Sequence, residues 1–226
     1  MKHIVVLSGA GMSAESGLKT FRDANGLWEG HDVMEVASPE GFARNPELVL
    51  EFYNQRRKQL LQVKPNSAHF ALAELENNHK VTIITQNVDD LHERAGSSNV
   101  VHLHGELLKV RSIYDELDVK DWYDDLVLGN VCEKGYQLRP HIVWFGEAVP
   151  LIPKAITICE TADILFIIGT SMQVYPAASL MHYVKPNTKI FYIDPNPAIN
   201  SNTQITVIAE TATKGLSKAI DIIKST

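Results

Sequence analysis

Ile4-Val5-Val6-Leu7, followed by Ser8-Gly9-Ala10-Gly11-Met12-Ser13-Ala14-Glu15-Ser16-Gly17, is the stretch from which the fold is read. Four consecutive branched or aliphatic side chains describe a strand buried on both faces, the kind found in the middle of a parallel sheet. The small residues that follow let backbone approach a pyrophosphate, and a helix start behind them turns N–H groups toward an anion. Gly9, Gly11 and Ala14 satisfy the G-x-G-x-x-G/A dinucleotide pattern, although a small-residue turn also serves simply to join a strand to a helix.

The next segment argues against an ordinary dehydrogenase. Instead of a long helix, a second strand and an acidic residue about 20 positions on, the chain runs Thr20-Phe21-Arg22-Asp23-Ala24-Asn25-Gly26-Leu27-Trp28, a polar loop suited to covering a ligand. Asn45-Pro46-Glu47 then begins a helix with an N-cap, a proline in the first turn and an acid near the positive end of the dipole. Its apolar register runs Leu48, Phe52 and Leu60, which places Arg56 on the face expected to be buried, beside Tyr53. Arg56 reads either as a snorkelling or ion-paired side chain, or as half of a Tyr and Arg pair offered to a carboxylate.

Further strands end in polar residues. Val81 to Thr85 leads into Gln86-Asn87-Val88-Asp89-Asp90, Val100 to His104 carries two histidines before Gly105, Asp163 to Ile168 stops at Gly169-Thr170-Ser171, and Lys189 to Ile193 stops at Asp194-Pro195-Asn196. In open α/β sheets the ligand crevice lies beyond the carboxyl ends of the strands, so these residues are expected along one edge. A histidine there is suited to proton transfer near neutral pH. Residues 105–141 read as an insertion of little periodicity, Leu138 to Glu147 as a return to a strand, and Lys214 to Ile223 as an amphipathic closing helix.

Composition excludes several classes. The 226 residues are 45% hydrophobic and 21% charged, as in a globular chain. A net charge of −6 leaves no basic footprint for nucleic acid. Two cysteines make neither a disulfide framework nor a thiolate zinc site by themselves, which fits a cytoplasmic protein. The N-terminal apolar run is too short for a signal peptide, and glycines, Gln173 and Pro176 interrupt the uncharged run 164–184, so no membrane span is expected.

Six motifs in order, Gly9 to Gly17, Thr20-Phe21-Arg22, Gln86-Asn87-Val88-Asp89, His102-Leu103-His104-Gly105, Phe145-Gly146-Glu147 and Gly169-Thr170-Ser171, together resemble the sirtuin family of NAD-dependent protein lysine deacylases. The resemblance implies an α/β fold: a Rossmann-like parallel-sheet domain built from 1–28, 76–105 and 140–226, and a smaller inserted helical domain from 29–75 and 106–139. It implies that NAD is held by Gly9, Ala10, Gly11, Glu15, Thr20, Phe21, Arg22, Trp28, Gln86, Asn87, Val88, Asp89, Gly169, Thr170, Ser171, Asp194, Pro195, Asn196 and Ala212. His104 is implied as the general base that activates the ribose hydroxyls, with Asn87 and Asp89 orienting water and the nicotinamide carboxamide. His102 receives no role and is taken as structural.

An acylated lysine of a protein or peptide is implied as a β-strand between two enzyme strands, one at Val143, Phe145, Gly146 and Glu147 and one at Val174 and Tyr175. Tyr53 and Arg56 stand where relatives that remove succinyl and malonyl groups carry a Tyr-x-x-Arg pair. The family's zinc module is another matter: Ser112 and Asp115 occupy the place of the first cysteine pair, and only Cys132 lies near the second. The expectation is therefore a metal-free remnant, with no structural zinc, packed around Ile113, Leu117, Trp122 and Leu126, and a monomer. The rival readings are an NAD-dependent oxidoreductase, a mono-ADP-ribosyltransferase and a non-catalytic NAD sensor.

Overall fold

The computed structural model describes residues 1–19, 27–28 and 30–225. The opening run forms β1 (His3–Ser8), every residue of which is buried, and a one-turn α1 (Gly11–Ala14) follows directly. Thr20, Phe21 and Arg22, expected to close over NAD, lie outside the described residues.

A short hairpin of β2 (Leu27–Trp28) and β3 (His31–Asp32) leads into α2 (Val33–Val36), α3 (Pro39–Arg44) and α4 (Pro46–Gln62). Each helix start has a polar cap: Asp32, Ser38 and Asn45 accept from the amides of Met34, Gly41 and Leu48. On α4 the buried face carries Val49, Phe52, Tyr53, Asn54, Arg57 and Leu60, so the arginine sealed in the interior is Arg57, 1% exposed, whereas Arg56 is only half-buried. Phe52 and Leu60 are buried as the register from Leu48 expects, and only the step between them falls one residue later, on Arg57, because a helix advances 3.6 residues per turn and the buried stripe drifts across strict fours.

Next come α5 (Ser67–Leu75), capped by Asn66, then β4 (Lys80–Thr85), the one-turn α6 (Leu91–Arg94) and β5 (Val100–His102). His104 therefore sits past the strand, in the turn before β6 (Gly105–Ser112). Residues 105–141 are more ordered than their pattern suggests. Here β6 pairs antiparallel with both β7 (Val119–Asp121) and β8 (Leu138–Ile142), so the helical region also carries a three-stranded sheet in the order β7-β6-β8. A register shift between Gly105 and Val110 breaks the alternation along β6 and so hides it from local pattern.

After α7 (Ile152–Cys159) the chain adds β9 (Ile164–Ile168), a 3-10 helix (Ala177–Tyr183), β10 (Lys189–Ile193), β11 (Ile205–Ile208) and α8 (Ala212–Lys224). The parallel sheet has the order β11-β10-β9-β1-β4-β5. One face packs Ile4, Val6, Ile83 and Phe166 against α5 and α8; the other packs Val5, Leu7, Leu165 and Tyr192 against α7, with Cys159 a buried core residue. Each such aliphatic side chain contributes about 1.5–3 kcal/mol on full burial. Among the described residues no helix is long and apolar enough to cross a membrane.

The smaller region has its own core. Leu50, Val110, Leu126, Cys132 and Leu138 pack together, with Trp122 against them, whereas Ile113 and Leu117 are 52% and 92% exposed and take no part in it. They were expected inside because they are apolar, but they fall on tight turns that project outward. Ser112 accepts from the amides of Tyr114 and Asp115 and hydrogen-bonds the Cys132 sulfur, while Lys134 lies 3.4 Å from the Asp115 carboxylate.

Asn54 fastens this core to α4. Its carbonyl accepts from the Leu126 amide at 2.8 Å and from the Arg57 guanidinium at 2.9 Å, and its amide donates to the Leu126 carbonyl at 3.0 Å. Arg57 also reaches the carbonyls of Leu107 and Asp124, and burial lowers its pKa to about 10 against the pull of Asp125 and Asp124. Asn54→Ala strands those buried groups and is expected to lower unfolding free energy by about 2–4 kcal/mol. Urea unfolding checks it, and an unchanged midpoint would refute the role.

Candidate functional site

The site follows from register. Ser8 pairs with Thr85 on one side and Ile168 on the other, Thr85 pairs with His102, and Ile168 pairs with Ile193. The next residue on each strand, Gly9, Gln86, Leu103, Gly169 and Asp194, therefore falls in one row at the carboxyl edge. Backbone bonds lock the row: Gly9 N–H to Ile168 O, Gln86 N–H to Ser8 O, Leu103 N–H to Thr85 O and Gly169 N–H to Ile193 O.

The chain leaves β1 toward β4 in one direction and returns through β9 in the other, so the boundary between β1 and β9 is the topological switch point. Here two loops touch backbone to backbone. A Cβ on Gly9 would lie 2.7 Å from Thr170 Cβ, one on Gly11 would lie 2.7 Å from Gly169 Cα, and Gly169 itself has φ +61° with Gly11 and Met12 backbone 2.4 Å from any added Cβ. Only glycine permits this approach, and it leaves a cradle without side chains on its floor. Ala10, Gly11 and Ser171 are partly exposed along it, and Pro195 and Asn196 are exposed at its rim, where the Asn196 amide donates to Asp194. A glycine cradle at a switch point, ringed by hydroxyls and amides, fits a dinucleotide.

Several residues assigned to the cofactor have internal partners. Glu15 accepts from the Thr213 amide and hydroxyl at 3.0 and 2.8 Å, clasping the glycine loop to the start of α8, and Ala212, the first residue of that helix, is buried. Gln86 donates to Thr170 across the crevice at 3.1 Å, and Val88 gives its carbonyl to the Leu107 amide. Trp28 packs edge-on against Phe52 and Tyr53.

The segment after β4 is held by a buried polar chain. The Asn87 side-chain amide donates to Ser13 at 3.1 Å, and the Ser13 hydroxyl donates to Asp89 at 2.9 Å; the other Asp89 oxygen accepts from the Leu91 amide at 3.2 Å. Burial raises the Asp89 pKa to about 6, opposed by Ser13, Leu91 and nearby His102. His104 hydrogen-bonds the Gln86 carbonyl through Nδ1 at 3.0 Å. A carbonyl can only accept, so Nδ1 carries the proton and Nε2 is the free lone pair. Burial holds the His104 pKa below 6.5, with the Gln86 carbonyl opposing.

The segments assigned to the acyl-lysine are not strands. Val143 donates its amide to the His104 carbonyl and Phe145 to that of Ala37, and the Glu147 amide bonds Trp144 O around Gly146, φ +92°. The Glu147 side chain turns inward, accepting from Arg139, Arg111 and the Trp144 amide. Val174 and Tyr175, 38% and 73% exposed, lie in an irregular segment ahead of the 3-10 helix. Tyr53, 1% exposed, accepts from Trp144 Nε1 at 2.9 Å, and burial pushes its phenol well above 10. Arg56 lies over the Phe52 ring at 3.8 Å and donates to the Phe52 carbonyl at 2.7 Å, so Tyr53 and Arg56 share the edge of one aromatic cluster with Trp28 and Trp144.

Sequence reasoning passed over the support of this site. Asn66 accepts from the amides of Ala68 and His69, donates to Met12 O and Ser16, and gives its own amide to His69 Nδ1. His92 Nε2 meets Ser8 Oγ at 3.1 Å; Ser8 donates to Thr85, which accepts the Asn87 amide. A polar N-cap and two histidines spaced along helices are the only sequence signal of this chain. Both rings are fully buried 4.9 Å apart, and burial lowers His69 to about 4 and His92 well below 6.5. Because the folded value lies below the unfolded one, His69 destabilises the fold as pH falls from 6.5 toward about 4. That shift amounts to roughly 3 kcal/mol at the acid end. Urea midpoints measured across this range should fall less steeply for His69→Gln than for the unmodified protein; parallel curves would refute the assignment.

The Sir2 family model matches residues 9–176. The chain is 65% identical over 195 residues to an NAD-dependent protein deacylase of Helicobacter pylori strain ATCC 700392 / 26695, covering 86% of this chain and 85% of that one. It is 55% identical over 223 residues to the protein of that description from Bacteroides thetaiotaomicron, covering 96% and 95%. Among solved structures, a Sir2 homologue in complex with NAD superposes with a TM-score of 0.88 at 38% identity, covering 99% of this chain and 90% of that one. A switch-point glycine cradle, a histidine at its edge and these likenesses together establish that the chain belongs to the Sir2, or sirtuin, family.

Proposed function

We propose that this protein is an NAD-dependent protein lysine deacylase that favours succinyl and malonyl over acetyl groups. The observation that carries the activity is His104: at the edge of the cofactor crevice, with Nδ1 tied to the Gln86 carbonyl, its Nε2 is aimed away as a base. NAD, when bound, would supply an anomeric carbon with nicotinamide as leaving group, so that the acyl oxygen could attack it and, with water, the acyl group would pass to ADP-ribose and the lysine amine be freed. With NAD bound, the glycine cradle would accept the phosphates, Asn87 and Asp89 would orient water and the nicotinamide carboxamide, and His104 would take a ribose hydroxyl proton. This base must be neutral, and its pKa is lowered, so activity is expected to hold at neutral pH and to fall on an acid limb centred below 6.5. A limb centred above 6.5 would count against His104 as that base.

The acyl preference rests on Tyr53 and Arg56. Arg56 keeps a guanidinium at the aromatic edge, where a distal carboxylate could take bidentate bonds that a neutral acetyl cannot. Incubation with NAD and acetyl-, succinyl- and malonyl-lysine peptides, with products identified by mass, tests both claims, since an oxidoreductase would return reduced nicotinamide and an ADP-ribosyltransferase a labelled acceptor. Arg56→Met should lower kcat/KM for succinyl peptide by roughly 10- to 100-fold, the size of a charge-assisted hydrogen bond, and spare acetyl. Unchanged succinyl turnover with lowered acetyl turnover would reverse the assignment.

We propose also that the three-stranded sheet is held without zinc. Support comes from a donor set of one thiol, a hydroxyl and a carboxylate already beside Lys134, which suits a thiolate-loving metal poorly. Elemental analysis of purified protein should return far less than one zinc per chain; near-stoichiometric zinc would overturn this.

A further inference from the structure

His102 was left without a role by its sequence, yet it touches the functional segment directly. Its ring is 9% exposed and spans two elements: Nδ1 lies 3.2 Å from the Asn87 carbonyl and Nε2 lies 2.7 Å from a carboxylate oxygen of Glu93 on α6. Two residues on, His104 makes the corresponding bond to the Gln86 carbonyl. The two histidines thus grip successive carbonyls of the segment that carries Asn87 and Asp89. Both acceptors at His102 are obligate, so the ring satisfies them together only with a proton on each nitrogen.

We propose that His102, held as an imidazolium by Glu93, is a positioning residue that fixes the 86–89 segment for the deacylation assigned above, and so rests on that reading. Among the described residues, the charged and titratable groups facing the ring are consistent with this. Glu93 comes from α6, Glu106 from β6 and Asp89 from the segment itself, while His92, also on α6, is kept neutral by burial. Lys109 pairs with Glu106 at 2.9 Å. Burial lowers the His102 pKa, but the Glu93 hydrogen bond and charge, Glu106 and the Asn87 carbonyl outweigh it, and the net shift is upward from 6.5. As pH rises through that raised value the ring keeps one N–H, and one of the two grips is released. The link from Asn87 through the ring to α6 is therefore present below that raised value and lost above it, opposite in sense to the acid limb of His104.

NMR provides a test independent of turnover. The Val88 amide shares its peptide bond with the Asn87 carbonyl, so its chemical shift should titrate with the His102 ring, above 6.5 in the unmodified protein and at lower pH in Glu93→Gln. Kinetics provide the second test. His102→Leu should lower kcat roughly 10- to 100-fold, the scale of a misplaced reacting group, with little change in KM for acyl peptide. His102→Asn, whose amide can still donate to Asn87, should recover most of that loss and abolish the alkaline limb, and Glu93→Gln should move the limb to lower pH. A Val88 amide that ignores His102, or a Glu93→Gln protein with an unmoved alkaline limb, overturns the proposal even if His102→Leu does not fold. Absence of turnover in the unmodified protein would instead reject the deacylase reading and leave the NMR titration to decide the positioning role.

Discussion

The contact of Gly9 and Gly11 with Gly169 and Thr170, across the boundary between β1 and β9, is the constraint from which the rest of the site takes its shape. Two loops from opposite halves of a parallel sheet approach so closely there that any Cβ would overlap backbone. Strand register carries the same level across β4, β5 and β10, so Gln86, Leu103 and Asp194 reach one edge without further adjustment. A side chain on any of the three glycines would separate the loops and fill the space above them together.

Behind that edge the interior is polar where the core of an open sheet is ordinarily apolar. His92, Ser8 and Thr85 link α6, β1 and β4 by hydrogen bonds that end at the Asn87 amide, Asn66 and His69 tie the start of α5 to the glycine loop, with the two histidine rings meeting 4.9 Å apart, and Ser13, Asn87 and Asp89 form a second line beside them. Buried groups of this kind are costly when unpaired and stiff when paired. The segment between Gln86 and Asp89 is consequently held from its carbonyls, its amides and its side chains. A general base at His104 gains from that stiffness because its Nδ1 partner belongs to the same segment.

The smaller region uses the same device at another scale. Asn54 and Arg57 hold α4 to Leu107, Asp124 and Leu126, and Glu147 is locked by Arg111 and Arg139, the latter stacked at 3.3 Å on Trp144. Trp144 in turn bonds Tyr53, so the aromatic edge that presents Arg56 is fixed from beneath by charge pairs. A burial-raised phenol at Tyr53 remains protonated at any working pH.

Continuous apolar runs determined by themselves the four central strands β1, β4, β9 and β10 and the carboxyl edge they share, because a strand buried on both faces leaves no other pattern. The helix cap at Asn45 was equally plain, since the first amides of a helix need a local acceptor. The ordered motifs pointed to the family from residues alone. Tertiary structure decided what local pattern does not encode: that Arg57 rather than Arg56 is sealed inside, that residues 105–141 build a sheet, that Ile113 and Leu117 face outward, that Glu15 and Glu147 bind the protein itself, and that His102 grips Asn87. Each depends on partners far along the chain. Residue type and spacing describe what a side chain can do, and only the packing of distant segments supplies the group with which it does it.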